Sequence, residues 1–229
     1  MQHTITGTPF NVLNIQLDSH DRIVVEAGKT AWMEPSVHMQ TSAMQHDGLW
    51  GAVKRSLGGG PWFWTSLQGP GRVAIAATLP GSIEHIDMQG GRGVLAHRSA
   101  FLAGTAEITV SVGFQQRWTA GLFGGDGFTP QHLRGTGSAW VQLGGSLTTC
   151  TLDVGESLYI LPQHVALFDD SMAFQITRVK GIRNLLFGGE GVFFCRLTGP
   201  GTVWCQSMAM AQLASDLIPY LPQPTSATH

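Results

Sequence analysis

The residues of this chain that could do chemistry are nine histidines, three cysteines, the pair Asp169-Asp170, and a lysine beside a glycine in Gly28-Lys29-Thr30. Spacing decides what each could do. A β-barrel metal enzyme gathers histidines with a carboxylate, and its mark in sequence is His-x-His or His-Glu-x-x-His. The histidines stand at 3, 20, 38, 46, 85, 97, 132, 164 and 229, and neither pattern occurs. Gly28-Lys29-Thr30 matches the end of a phosphate-binding loop, where backbone amides and a lysine hold phosphates. The loop's first glycine would stand at position 23, which is Ile23, and no helical pattern follows. A turn glycine accounts for the match.

Other arrangements fall the same way. The clusters Gly58-Gly59-Gly60, Gly124-Gly125 and Gly188-Gly189 run toward aromatic stretches such as Trp62-Phe63-Trp64 and Val192-Phe193-Phe194. A phosphate cradle would open a helix there, so these clusters read as bends at sheet corners. No Gly-x-Ser-x-Gly occurs, and Asp169-Asp170 lies between apolar runs at 165–168 and 172–177. That position suits a polar turn better than an acid/base pair. Cys195 and Cys205 flank Gly199-Pro200-Gly201. A three-residue hairpin loop would oppose them on neighbouring strands, a two-residue turn would place Cys195 opposite Gln206, and buried reduced thiols are expected in either case. No catalytic, cofactor-binding or metal-binding residue is assigned, and the chain is expected not to be an enzyme.

The elements that position these residues repeat. Leu57-Gly58-Gly59-Gly60 through Ala76 aligns without gaps to Phe123–Gln142 and to Phe187–Gln206, at offsets of 66 and 64 residues. Gly58, Gly59, Leu67, Gly69 and Gly71 each recur twice. Upstream, Val24–Met33 with Gly28, the segment around Gly93-Val94-Leu95-Ala96-His97, and Leu152–Leu161 with Gly155 form a second repeated element. This puts His97 in one slot with Trp32 and Tyr159, a bulky wall position, and sets Val37–Met39 beside Phe101–Leu102 and Val165–Phe168. Units of 10–81, 82–145 and 146–221 follow, the last closing with a short helix over Met208–Leu217, ahead of a frayed tail at 222–229. Thr105–Val112 alternates apolar and β-branched residues as a strand does. Gly-x-Gly at 69–71, 135–137 and 199–201 joins strand-like runs as a hairpin turn would, its last glycine supplying a positive φ. Short amphipathic stretches at Leu49–Leu57 and Ile182–Leu186 are the other helix signals.

Composition agrees with covered strands. Glycine takes 30 of 229 places and charged residues only 12%, while 43% are apolar, which excludes a disordered chain. A net charge of −2 gives no footprint for nucleic acid. Met1–Phe10 lacks the basic start and apolar stretch of a secretion signal, and three cysteines, an odd number, point to a reducing compartment. A cytoplasmic location is expected. Trp140 and Trp204 share a repeat slot and read as core. Trp50 and Trp118 stay open between interface and core, and Lys54-Arg55 near Trp50 and Trp62 suggests a peripheral membrane contact.

The paired glycines before an aromatic strand, Gly-Pro-Gly at 69–71 and 199–201, Val203-Trp204-Cys205-Gln206-Ser207 and the closing Leu217-Ile218-Pro219-Tyr220-Leu221 resemble the altered-inheritance-of-mitochondria family. The resemblance spans about residues 10 to 221. It implies an all-β fold similar to the tryptophan-RNA-binding attenuator protein. That fold has three tandem sandwich-like modules of short double-stranded β-helix type around a pseudo-threefold axis. Eukaryotic relatives are associated with the mitochondrial inner membrane. The expected function is a non-enzymatic scaffold or assembly protein acting through its surface as a homo-oligomer. The alternative from another class is a cupin-like metal or small-ligand enzyme. Attenuator-like RNA binding is disfavoured, since thirteen Lys and Arg stand against fifteen acids.

Overall fold

The structure, a computed structural model, describes residues 1–43, 63–97, 99–112, 130–178 and 193–221. The helix readings at 49–57 and 182–186, the glycine clusters, Lys54-Arg55, Trp50, Trp62, Trp118 and the tail lie outside these residues.

The described chain is almost entirely β. After β1 (Gln2–Thr6) come three successive runs of six strands. The first run is β2 (Val12–Leu17), β3 (Arg22–Glu26), β4 (Thr30–Met33), β5 (His38–Ala43), β6 (Phe63–Gln68) and β7 (Gly71–Ala76). The second is β8 (Gly81–Asp87), β9 (Val94–Ala96), β10 (Phe101–Thr105), β11 (Thr109–Val112), β12 (Gln131–Arg134) and β13 (Ser138–Gly144). The third is β14 (Leu147–Leu152), β15 (Ser157–Ile160), β16 (Val165–Asp169), β17 (Ala173–Arg178), β18 (Phe193–Thr198) and β19 (Gly201–Gln206), followed by helix α1 (Met210–Leu217). Period-two patterning sets the faces: in β2, Leu13, Ile15 and Leu17 are buried while Gln16 between them faces solvent.

In each run the first, sixth and third strands pair, giving β2-β7-β4, β8-β13-β10 and β14-β19-β16. The fourth, fifth and second pair as well, giving β5-β6-β3, β11-β12-β9 and β17-β18-β15. Successive runs are stitched edge to edge. β3 pairs with β10 and β9 with β16, so two six-stranded sheets are each shared between neighbouring runs. One bulge recurs in the third strand of every run, stepping from Thr30 to Trp32, Phe101 to Ala103, and Val165 to Leu167. The extra residue lets the strand bend.

Three expectations are corrected here. The Gly-x-Gly turns are not hairpins: β6 and β7 lie in different sheets, as do β12 and β13, and β18 and β19. Each turn hands the chain from one layer to the facing one. The glycines are required for two reasons. Gly71, Gly137 and Gly201 have φ of 143°, 126° and 150°, and a Cβ on Gly69 or Gly199 would strike the carbonyl oxygen of Asp18 or Asp153. Thr105–Val112 is not one strand, because the chain turns at Ala106–Ile108, closed by the Ile108 amide on the Thr105 carbonyl at 3.0 Å. The upstream slot also shifts: Gly28 sits between β3 and β4, whereas Gly93 and Gly155 precede β9 and β15. Trp32 therefore stands level with Ala103 and Leu167, not with His97 and Tyr159, and Phe101–Leu102 matches the start of β4, not Val37–Met39.

Three apolar clusters fill the layers. The first holds Leu13, Ile15, Leu67 and Val73 of the first run together with Leu102, Ala103 and Trp140 of the second. The second holds Val94, Phe101, Leu133 and Val141 with Ala166, Leu167 and Trp204 of the third run. The last is smaller and lies around Val165, Phe168, Cys195 and Leu197. β13 is buried on both faces, Trp140 entering the first cluster and Ala139, Val141 and Leu143 the second.

Candidate functional site

Several chemistry-bearing side chains are engaged by neighbouring segments. Lys29 is held by Thr78 Oγ1 at 2.8 Å and by Glu26 at 3.7 Å, and strand β4 follows it where a phosphate-binding loop would start a helix. Asp169 closes β16, accepting from Arg92 Nε and from the Thr202 amide, both at 2.8 Å. Asp170 lies 2.9 Å from His132 Nε2 and 3.1 Å from an Arg134 nitrogen. Burial alone would raise its pKa, but hydrogen bonds and charge from His132 and Arg134 hold it below the usual carboxylate range. The two aspartates thus face different partners.

His97 Nδ1 meets Ser99 Oγ at 3.0 Å, and His164 Nδ1 meets the Gln206 carbonyl at 2.9 Å. The His3 and His85 rings are tilted against each other with centroids 4.8 Å apart, and both lie against Trp140, at 5.2 and 5.6 Å. Burial, with His3 beside it, lowers the His85 pKa despite Asp87. Among the described residues no group of three or more His, Cys, Asp or Glu side chains is arranged to hold a metal ion.

The cysteines are free and differ from expectation in their neighbours. Because β18 and β19 lie in different sheets, Cys195 pairs across to Ile160 and Ile176, and Cys205 to Thr148 and Val165. Cys195 is buried, which pushes its thiol up to about 12, while Cys205 is raised by burial and by nearby Cys150.

Clefts are the default place to look for a ligand. An open cleft of about 660 Å³ is lined by residues at or beside the starts of β2, β8 and β14, among them Pro9, Asn11, Pro80, Gly81 and Gly145, with Met208, and carries no acid, base or histidine. A smaller one of about 360 Å³ lies on the β1-β2-β7-β4 sheet beside His3, Arg72 and Trp32. What stands out at the surface is apolar. Trp32 on β4 is 49% exposed and Tyr159 on β15 is 51% exposed, and Leu217, Ile218, Tyr220 and Leu221 are all exposed at the C-terminal end. Trp140 and Trp204 are core, as their shared slot suggests. Sequence reading missed the exposed pair because an aromatic residue in an apolar strand carries no mark of whether a neighbouring strand covers it.

Comparison with known proteins places the fold. The chain matches the family described as Mitochondrial biogenesis AIM24 over residues 3–208, and it belongs to that family. It is similar to the uncharacterized protein M6_Spy0233 of Streptococcus pyogenes, at 27% identity over 223 residues covering 93% of this chain and 88% of that protein. It also superposes on the crystal structure of protein SPYM3_0169 from Streptococcus pyogenes, with a TM-score of 0.75 and 23% identity over 96% of this chain and 99% of the other. That likeness supports the all-β fold of the described residues.

Proposed function

We propose that this protein is a non-enzymatic scaffold or assembly protein, built of three tandem six-stranded units, that works through its surface as a homo-oligomer in the cytoplasm. The observation that carries this reading is the division of labour among the side chains. The larger cleft offers no acid or base, the pairs Arg92–Asp169 and His132–Asp170 tie neighbouring segments together, and exposed apolar residues include Ile5, Trp32, Met39 and Tyr159 on edge strands and a group at the C-terminal end. Aromatic side chains that face solvent on a strand edge suit a protein interface, where they bury much area for little lost entropy. No helix among the described residues is long and apolar enough to cross a membrane. Light scattering after size-exclusion chromatography, combined with affinity capture from the native cell, tests the proposal. An oligomer or a stoichiometric partner is expected; a strict monomer with no partner overturns it. A stoichiometric metal on three converging side chains would favour the cupin-like alternative.

A further inference from the structure

The two stitched junctions define what a third would need, and the described chain carries both halves of it. At β3–β10, Val25 pairs with Ala103 and Val24 with Gly104. At β9–β16, Ala96 pairs with Leu167 and Leu95 with Phe168. Strand order fixes the corresponding pair as β15 with β4, which each have a single strand neighbour among the described residues. The cross-strand positions put Ile160 level with Val25 and Ala96, since all three face the equivalent positions Cys195, Thr65 and Gln131. The shared bulge likewise puts Trp32 level with Ala103 and Leu167. A β15–β4 junction in the same register opposes Ile160 to Trp32 and Tyr159 to Met33.

The cores say the same. The first cluster takes in Trp140 from the run that follows it, and the second takes in Trp204. Among the described residues the third takes in no buried member of another run and has seven buried members where the others have fourteen. The first of the described runs has its tryptophan moved one strand over. Across β13 and β10 the pair is Trp140 with Ala103, and across β19 and β16 it is Trp204 with Leu167. Across β7 and β4 it is Ala74 with Trp32. Trp140 is fully buried and Trp204 nearly so, whereas Trp32 is half exposed. Val24 and Leu95 pack against the cluster of the run that follows theirs; their counterpart Tyr159 is half exposed. Neither β4 (Thr-Ala-Trp-Met) nor β15 (Ser-Leu-Tyr-Ile) carries the charge that guards an edge against pairing.

We infer that a second copy of this chain supplies the missing partner: β15 of one copy pairs antiparallel with β4 of the next, joining β17-β18-β15 to β4-β7-β2-β1 in one seven-stranded sheet and placing Trp32 against the neighbour's third core. This rests on the homo-oligomeric reading above and names its contact. The interface is heterologous, so assembly proceeds head to tail until the ring closes.

Wild-type protein is expected to run as a dimer or a larger closed ring. Trp32→Ala, at a position already half exposed in one chain, is expected to leave the circular dichroism spectrum unchanged and raise the dissociation constant at least about thirtyfold, as a central aromatic anchor does. In the double variant Met33→Cys/Tyr159→Cys, copper–phenanthroline oxidation should give a chain-to-chain disulfide on a non-reducing gel. Met33→Cys/Gly155→Cys, out of register, should not. The same register brings Glu156 toward Glu34, whose carboxylate is already held by Arg72 at 2.7 Å, so Glu156→Gln should tighten association. A monomer-sized disulfide, which closes the junction within one chain, overturns the inference. So does an oligomer indifferent to Trp32→Ala, or loosened by Glu156→Gln; in these cases the scaffold reading stands. A monomeric wild type that still captures another protein also overturns the inference alone, and a monomer that captures none overturns both.

Discussion

Trp140 is the residue on which two runs of the chain lean. It belongs to β13 of the second run, is fully buried, and sits in the first run's core with Ile15, Val25 and Val73, under the His3 and His85 rings. Truncating a buried tryptophan to alanine removes its transfer free energy and leaves a cavity, at a combined cost of about 3–5 kcal/mol. For a chain of this size each kcal/mol moves the melting temperature by about 2–4 °C. Trp140→Ala is therefore expected to lower it by about 6–20 °C at fixed protein concentration, with an unchanged urea m-value. The indole Nε1 is buried without a hydrogen-bond partner among the described residues. Trp140→Phe keeps most of the packing and removes that donor, whose burial costs about 1–3 kcal/mol. The two effects offset, and the phenylalanine variant should stay within about 1.5 kcal/mol of wild type. Urea titration with calorimetry measures both. A loss under about 1 kcal/mol for the alanine variant, or a phenylalanine variant as damaged as the alanine one, would refute the packing argument.

Three further expectations concern charge and thiols. Burial raises the Glu26 carboxyl pKa despite Lys29, so its favourable share of stability is complete below the ordinary carboxylate range and is lost as pH rises through the raised value. Glu26→Gln should raise the urea midpoint at pH 7, with the gain disappearing near pH 4; a loss at pH 7 would contradict this. Asp170 has a lowered pKa, so its share is present above the ordinary range and lost as pH falls through the lowered one. Asp170→Asn should cost about 1–2 kcal/mol at pH 7 and progressively less in acid, by urea titration across pH. Cys195, buried with its thiol pushed up to about 12, should react with a thiol reagent only after unfolding, whereas half-buried Cys150 and Cys205 react first; mass mapping of the labelled sites decides it.

Fold class was legible in the sequence because the slots at Leu67, Gly69 and Gly71 recur where turn chemistry leaves little choice of residue. Leu67, Leu133 and Leu197 are all fully buried, and the glycines meet either a positive φ or a carbonyl in the place of a Cβ. The pairing partners were not legible. A Gly-x-Gly between two strand-like runs looks the same whether the chain doubles back in one sheet or crosses to the facing one, since both need the same local backbone. The upstream slot failed for a related reason: Gly28 and Gly155 both introduce apolar strands, but one lies after the second strand of its run and the other before it. The exposed edges at Trp32 and Tyr159 needed the sheet order, which is a long-range property.

The hand-over at each Gly-x-Gly turn governs how the chain can be made. β2 pairs with β7, β8 with β13 and β14 with β19, so the strand that opens a run waits, unpaired on that side, for the one that closes it. Residue 12 meets residue 76 only after the whole run has left the ribosome. At about 5–20 residues per second, that leaves each opening strand without its partner for roughly 3–13 s. β3 and β9 wait longer still, since their far edges are filled by the next run. Synthesis thus proceeds as a series of delayed closures, and a ribosome stalled within any run holds out an uncovered strand for chaperones to guard.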